Sequence, residues 1–288
     1  MLKEKIKGLI ANCGEKEMLS KIKKQLRRRK PNLILIHSFP TNSILLHGLK
    51  EYLSDFFSVF FIDLPGFHKN SPPFKGEITI KKFSDYLDER IANLDLEEYI
   101  IGGVSFGFLV INNAKLDKRC RAILAMEPFV NVNCLSISYW KQKKYVVIAL
   151  LLKLIHFLGV ENIIWKSKYF NEYLQKESDY PKKRVDIIID NFDSRTFFAV
   201  TNLLLSYNKK PKFHNLPHFL IGNFSDKTIN FDAVVDIFAD NLRELHIASE
   251  PIDHYPKNLT KSYFKTRIPN EHVFRMIECM RGGKRFKI

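Results

Sequence analysis

Residues Gly103-Val104-Ser105-Phe106-Gly107 place a serine between two glycines, where the apolar run Tyr99 to Ile101 gives way to the helical pattern of Phe108 to Ala114. A serine in a sharp turn between strand and helix needs small neighbours, because a side chain at either flanking position collides with adjacent backbone. The start of a helix also directs backbone N–H groups and partial positive charge at an oxyanion that forms beside it. This is an arrangement for nucleophilic acyl transfer, with the Phe106 N–H as one oxyanion donor. A blander account of the same letters is that the glycines relieve crowding where a helix crosses a sheet and Ser105 is a helix cap. A serine hydroxyl attacks at neutral pH only when an imidazole takes its proton and a carboxylate orients that imidazole, so the chain must also supply a histidine and an acid.

The elements that would position these groups are legible from apolar spacing. Compact apolar runs predict strands at Asn32 to Ile36 and Ser58 to Ile62, with a helix from Ile44 to Phe57 between them. Further strands are predicted around Tyr99 to Ile101, Ala122 to Met126, His218 to Ile221 and Arg243 to Ala248. Alternating strands and helices predict an α/β chain with a mostly parallel central sheet flanked by helices. Residues 131–212 are aromatic and lysine-rich with helical spacing, and predict a helical cap inserted between two core segments, 1–130 and 213–288.

The segments LILIHSFPTNS, FFIDLPGFHKNS and IIGGVSFG resemble consecutive landmarks of the α/β-hydrolase superfamily, in its usual order. The resemblance covers roughly residues 31–130, is weaker over 213–275 and is absent over the expected cap. It implies the chain order serine, acid, histidine. It also implies a second oxyanion N–H from the loop after the first strand, here Phe39 in His37-Ser38-Phe39-Pro40, with Ser38 where the family usually has glycine. For the acid it points to Asp226, at the end of Gly222-Asn223-Phe224-Ser225-Asp226, although the family's glycine-to-aspartate gap is usually one residue shorter. Glu127, after the strand ending at Met126, is the second candidate. For the base it points to His254 in Glu250-Pro251-Ile252-Asp253-His254-Tyr255-Pro256. His272 competes, on the reading that Ser262 to Ile268 is the preceding strand. The implied activity is a serine hydrolase acting through an acyl-enzyme on a small or medium apolar ester, thioester or amide. A hydrolase-fold protein that has lost catalysis and serves in ligand binding or interaction is the alternative.

Composition bounds the remaining possibilities. The chain has 288 residues, a formal charge of +15, 24 Phe and 11 Tyr, the make-up of a folded basic protein. Its lysines are scattered, which fits a solvated surface better than a nucleic-acid groove. The exception is the basic run Lys21 to Lys30, which suits anionic lipid, nucleic acid or an acidic partner. Cys13, Cys120, Cys134 and Cys279 lack CxxC or zinc-ligand spacing, so neither a disulfide framework nor a zinc site is indicated, and reduced thiols point to the cytoplasm; the acyl-transfer mechanism that the resemblance implies requires no metal or organic cofactor. The first twenty residues lack the apolar core of a secretory leader. The apolar stretch Tyr145 to Val160 is short for a bilayer span and reads as a buried or cap helix, with peripheral membrane contact as the minor reading. The expected partner is a small acyl substrate, with aromatic residues Trp140, Tyr145, Phe157, Trp165, Tyr169, Phe170 and Tyr173 offered for its pocket.

Overall fold

The computed structural model describes residues 30–136, 139–178, 181–242, 245–249 and 259–280. In chain order the elements are β1 (Asn32–Ile36), α1 (His47–Leu53), β2 (Ser58–Ile62), α2 (Ile80–Ala92), β3 (Tyr99–Val104), α3 (Phe106–Asn113) and β4 (Cys120–Met126). A 3-10 turn, Val132–Cys134, then leads to α4 (Tyr139–Leu158), α5 (Glu161–Trp165), α6 (Lys168–Ser178), α7 (Lys182–Asn191) and α8 (Ser194–Ser206). The chain returns through β5 (His218–Gly222), α9 (Phe231–Asn241), β6 (Leu245–Ser249), α10 (Lys261–Arg267) and α11 (Asn270–Met280).

The six strands form one sheet in the order β2-β1-β3-β4-β5-β6, with each neighbouring pair parallel. Parallel strands need crossovers, and the crossovers cover both faces, so the central strands are apolar on both sides. Ile34, Ile36, Ile101, Ile123 and Leu220 pack on one face beneath α2, α3 and α9. The alternate residues Leu33, Leu35, Ile100, Leu124, Phe219 and Ile221 pack on the other beneath α1, α10 and α11. The described residues between β4 and β5 contain no strand. Their helices extend the first cluster through Trp165, Val185, Ile188, Phe197, Phe198 and Val200.

One expectation is corrected. Ser262 to Ile268 is not a strand but lies in and just beyond α10, whose first turn is capped by the Thr260 hydroxyl accepting from the Tyr263 N–H, and which packs against α1. Tyr145 to Val160 falls within and just past α4, which is not buried all round: Leu150, Leu151, Leu154 and Phe157 are all more than half exposed.

Candidate active site

β3 runs directly into the turn at Ser105, whose backbone lies at φ 47°, ψ −109°. A residue with a Cβ enters this region at a cost on the order of 1–3 kcal/mol and stays there only where its surroundings over-determine it. Here they do. The Ser105 N–H donates to Met126 O at 2.9 Å, and the Ser105 carbonyl accepts from the N–H groups of Phe108 at 3.0 Å and Phe129 at 3.3 Å.

The flanking glycines are sterically required. A Cβ on Gly103 would stand 2.5 Å from Phe108 N and 2.7 Å from Gly107 C, and one on Gly107 would stand 2.6 Å from His37 O and 2.7 Å from Ile36 O. Most of these neighbours are backbone atoms, which cannot swing aside. Ser105 stands at the N-cap position of α3, but its side chain makes no capping hydrogen bond to the helix. Phe106 opens α3 with its ring buried against Phe67 and Phe83, which fixes the helix start and places its N–H among the first-turn donors that lack an intrahelical acceptor.

The loop after β1 lies at the same sheet edge. His37 is fully buried: its Nδ1–H donates to Ser38 O at 2.8 Å, and its Nε2 accepts from the Leu64 N–H at 3.0 Å. Burial holds its pKa below the usual imidazole value, against the pull of the Asp63 carboxylate, so it is a neutral clamp between the β1 and β2 loops. The Ser38 hydroxyl lies 2.9 Å from the Thr41 hydroxyl, and Ser38 O accepts from the Thr41 N–H at 3.1 Å. Phe39 is half-buried against Phe67 and Phe197.

Two residues that the sequence did not single out organise these loops. Asn42 is fully buried, accepts from the Leu45 N–H and donates to Phe67 O, while Asp63 accepts from both the N–H and the hydroxyl of Ser43. The signal for both was the Asx-turn chemistry latent in Thr41-Asn42-Ser43 and Asp63-Leu64-Pro65-Gly66.

Both acid candidates lie beyond strand ends at this edge. Glu127 immediately follows β4, is 3% exposed and has a positive φ of 43°. Asp226 lies four residues past the end of β5, where its Oδ1 accepts from the N–H groups of Thr228 at 2.6 Å and Ile229 at 3.2 Å. Its Oδ2 is buried and takes no part in that turn. Two backbone donors on one carboxylate oxygen fix the orientation of the other.

The histidines divide differently. His254 lies outside the described residues. His272 is on α11, with its Nε2–H donating to His246 O at 3.2 Å and its ring against Phe219. Phe219 is level with Leu124, and Leu124 with Gly102, three residues short of Ser105 along β3. His272 is therefore roughly 10 Å down the sheet from the serine, beneath the opposite face, and the structure does not bring it to Ser105. Burial pushes its pKa down to about 4. The expected aromatic pocket divides too: Trp165 and Phe170 pack with Phe197 and Phe198, but Trp140, Phe157, Tyr169 and Tyr173 are exposed. The side chain of Tyr145 is outside the described set.

Among the described residues no cluster of metal-ligating side chains occurs, and Cys120 and Cys134 are buried free thiols. No family model matches the chain. It superimposes on the solved structure of an α/β-hydrolase enzyme from a Medee basin deep-sea metagenome library with a TM-score of 0.55, at 14% identity over 91% of this chain and 92% of that one. The chain has the α/β-hydrolase fold. Another solved structure, the N-acyl homoserine lactonase AidH complexed with N-butanoyl homoserine, gives a TM-score of 0.63 at 14% identity, covering 90% of this chain and 92% of that one. In sequence, 86 residues are 33% identical to the pimeloyl-[acyl-carrier protein] methyl ester esterase of Pseudoalteromonas atlantica. That match spans 30% of this chain and about a third, 32%, of the relative's length.

Proposed function

We propose that this α/β hydrolase is a serine hydrolase that cleaves a small or medium apolar carboxylic ester, with thioesters and amides as related substrates. The observation that carries the reading is the strained turn at Ser105, enforced by two glycines with no room for a Cβ and with its hydroxyl not spent on capping α3. One fold hosts many chemistries, and it is the residues of this site that favour acyl transfer.

In the proposed mechanism Ser105 Oγ attacks the carbonyl carbon while His254 accepts its proton, and Asp226 holds the imidazole tautomer and its developing charge. The N–H groups of Phe39 and Phe106 receive the oxyanion. The imidazolium protonates the departing alcohol, and water, deprotonated by the same imidazole, then cleaves the acyl-enzyme. No metal or organic cofactor enters these steps. Helices of residues 131–212 would form the cap, with Phe39, Phe197, Trp165 and Phe170 as an apolar wall for the acyl group. The names of the methyl ester esterase and the homoserine lactonase both denote cleavage at an acyl carbon, which supports this bond type.

The test is intact-mass analysis of the folded full chain after exposure to a fluorophosphonate, with turnover of p-nitrophenyl esters of short and medium acyl chains. The expected result is one adduct on the wild type and none on Ser105→Ala, with turnover lost in that variant. Absence of an adduct on folded wild type would overturn the proposal.

Ser38 favours a second reading, a binding protein without turnover, because its side chain occupies the oxyanion loop and engages Thr41. On that reading acyl ligands bind the wild type and Ser105→Ala equally, and neither turns them over.

A further inference from the structure

Helix α4 carries an apolar face that the rest of the described chain does not cover. Its inner side, with Leu152 at 8% exposure and Ile148 and Ile155 half-buried, packs in the direction of α8. On the outer side Val147, Leu150, Leu151, Leu154, Phe157 and Leu158 are exposed by 56, 60, 52, 51, 85 and 58%. Their spacing of three, four and seven residues puts them on one stripe of the helix. Ile163 and Tyr169, on the two helices that follow, are 72% and 84% exposed. Isolated exposed apolar residues are ordinary, but a stripe of this kind marks a surface that is covered in use.

We propose that this face docks on an anionic lipid bilayer, with α4 lying in the plane of the interface. Charge decides the occupant. Between residues 139 and 178 the sequence has seven lysines and three glutamates. Glu161 is buried and bonded to His156 Nδ1 at 2.6 Å, and Glu172 lies 3.7 Å from Lys168. Lys143 and Lys144 precede the stripe, while Lys166, Lys168 and Lys176 follow it, all exposed. An apolar stripe with exposed lysines before and after it along the chain matches a bilayer surface, where acyl chains take the stripe and anionic headgroups meet the ammonium groups. A second copy of this chain is a poorer occupant, since it would bring together two molecules that each carry +15. The helix lies on the membrane and does not cross it: no described helix is long and apolar enough to span.

The chain has two tryptophans, Trp140 at 79% exposure on α4 and Trp165 at 3% on α5, so its own fluorescence reports on this face. The full chain is to be sedimented with vesicles of phosphatidylcholine alone and of phosphatidylcholine with phosphatidylglycerol, at low and high salt. Its emission is followed with brominated lipid. Binding to the phosphatidylglycerol vesicles is expected, with a blue shift and quenching. The triple variant Leu150→Ser/Leu154→Ser/Phe157→Ser, altered only at exposed positions, should partition about tenfold less or weaker still. No binding to anionic vesicles overturns the proposal. So does undiminished binding by the triple variant, which would assign lipid affinity to charge elsewhere, such as the run Lys21 to Lys30. A wild-type dimer in sedimentation equilibrium that this variant dissolves makes the face an interface between copies, and also overturns it. None of these readouts depends on catalysis, so they stand or fall apart from the hydrolase proposal.

Discussion

Ser105 and Glu127 leave adjacent parallel strands at the same level of the sheet, and each leaves with a positive φ. The residues before them, Val104 and Met126, are paired in register; the Ser105 N–H donates to Met126 O, and the Glu127 N–H donates to Ile221 O on the next strand. The two angles are 47° and 43°, and among the described non-glycine residues only Leu116 joins them. Strained backbone gathers where geometry serves function, so both residues belong in the tests of the site.

The two acids are separable by paired variants. Asp226→Asn is expected to lower kcat/KM for ester hydrolysis by about a thousandfold or more, by analogy with loss of the acid in other serine triads, while Glu127→Gln costs about tenfold or less. The measurement is kcat/KM across pH on folded variants. The reverse order of damage would move the acid role to Glu127.

The elbow glycines are expected to be intolerant. Gly103→Ala and Gly107→Ala each press a methyl against atoms 2.5–2.7 Å away and should destabilise the chain by about 1–3 kcal/mol or more. Gly159→Ala, where no atom lies within 4 Å of the new methyl but φ is +66°, should cost only about 1–2 kcal/mol. Thermal or denaturant unfolding gives the comparison.

The joint between the β2 loop and the helical segment rests on another glycine. Gly66 has φ +82°, its carbonyl accepts from the Asp193 N–H at 2.9 Å, and a Cβ there would lie 2.2 Å from Thr196 Oγ1. Gly66→Ala should therefore destabilise the start of α8. Adding Thr196→Ala removes Oγ1 and Cγ2 from the clash and should recover part of the loss, a coupling that a double-mutant cycle of unfolding free energies measures.

Stability should fall in mild acid because of buried imidazoles. Burial lowers the pKa of His218 and of His272 to about 4 from an ordinary 6.5. Between those values the unfolded chain binds protons that the folded chain does not. Stability from these groups is thus fully present above about pH 6.5 and is lost as pH falls toward 4, by up to about 3 kcal/mol for each ring. Urea unfolding across pH 4 to 7.5 checks the sign, and His218→Phe should flatten the slope.

The sequence by itself determined the strands and the elbow. Asn32–Ile36 and Ser58–Ile62 are continuous apolar runs bounded by turn residues, a local pattern strong enough to survive any tertiary context. Gly103 and Gly107 were legible because a missing Cβ is a covalent fact, and two of them flanking a serine between strand and helix mark a close backbone approach. Apolar spacing states that a side chain will be covered, but not by what. Ser262 to Ile268, rich in aromatic and β-branched residues, reads equally as a strand. Thr260 caps its first turn locally, and its packing on α1, far away in sequence, is what apolar spacing does not show. The same limit hid the outer face of α4, whose apolar residues look like core until the fold places α8 on one side of the helix and nothing described on the other. That Glu127 and Asp226 both follow strands ending at the edge where Ser105 sits is likewise a product of strand order, which local spacing does not state. Strand order and register arise from pairings between segments distant in sequence, such as Ile36 with Gly103 and Ile123 with His218.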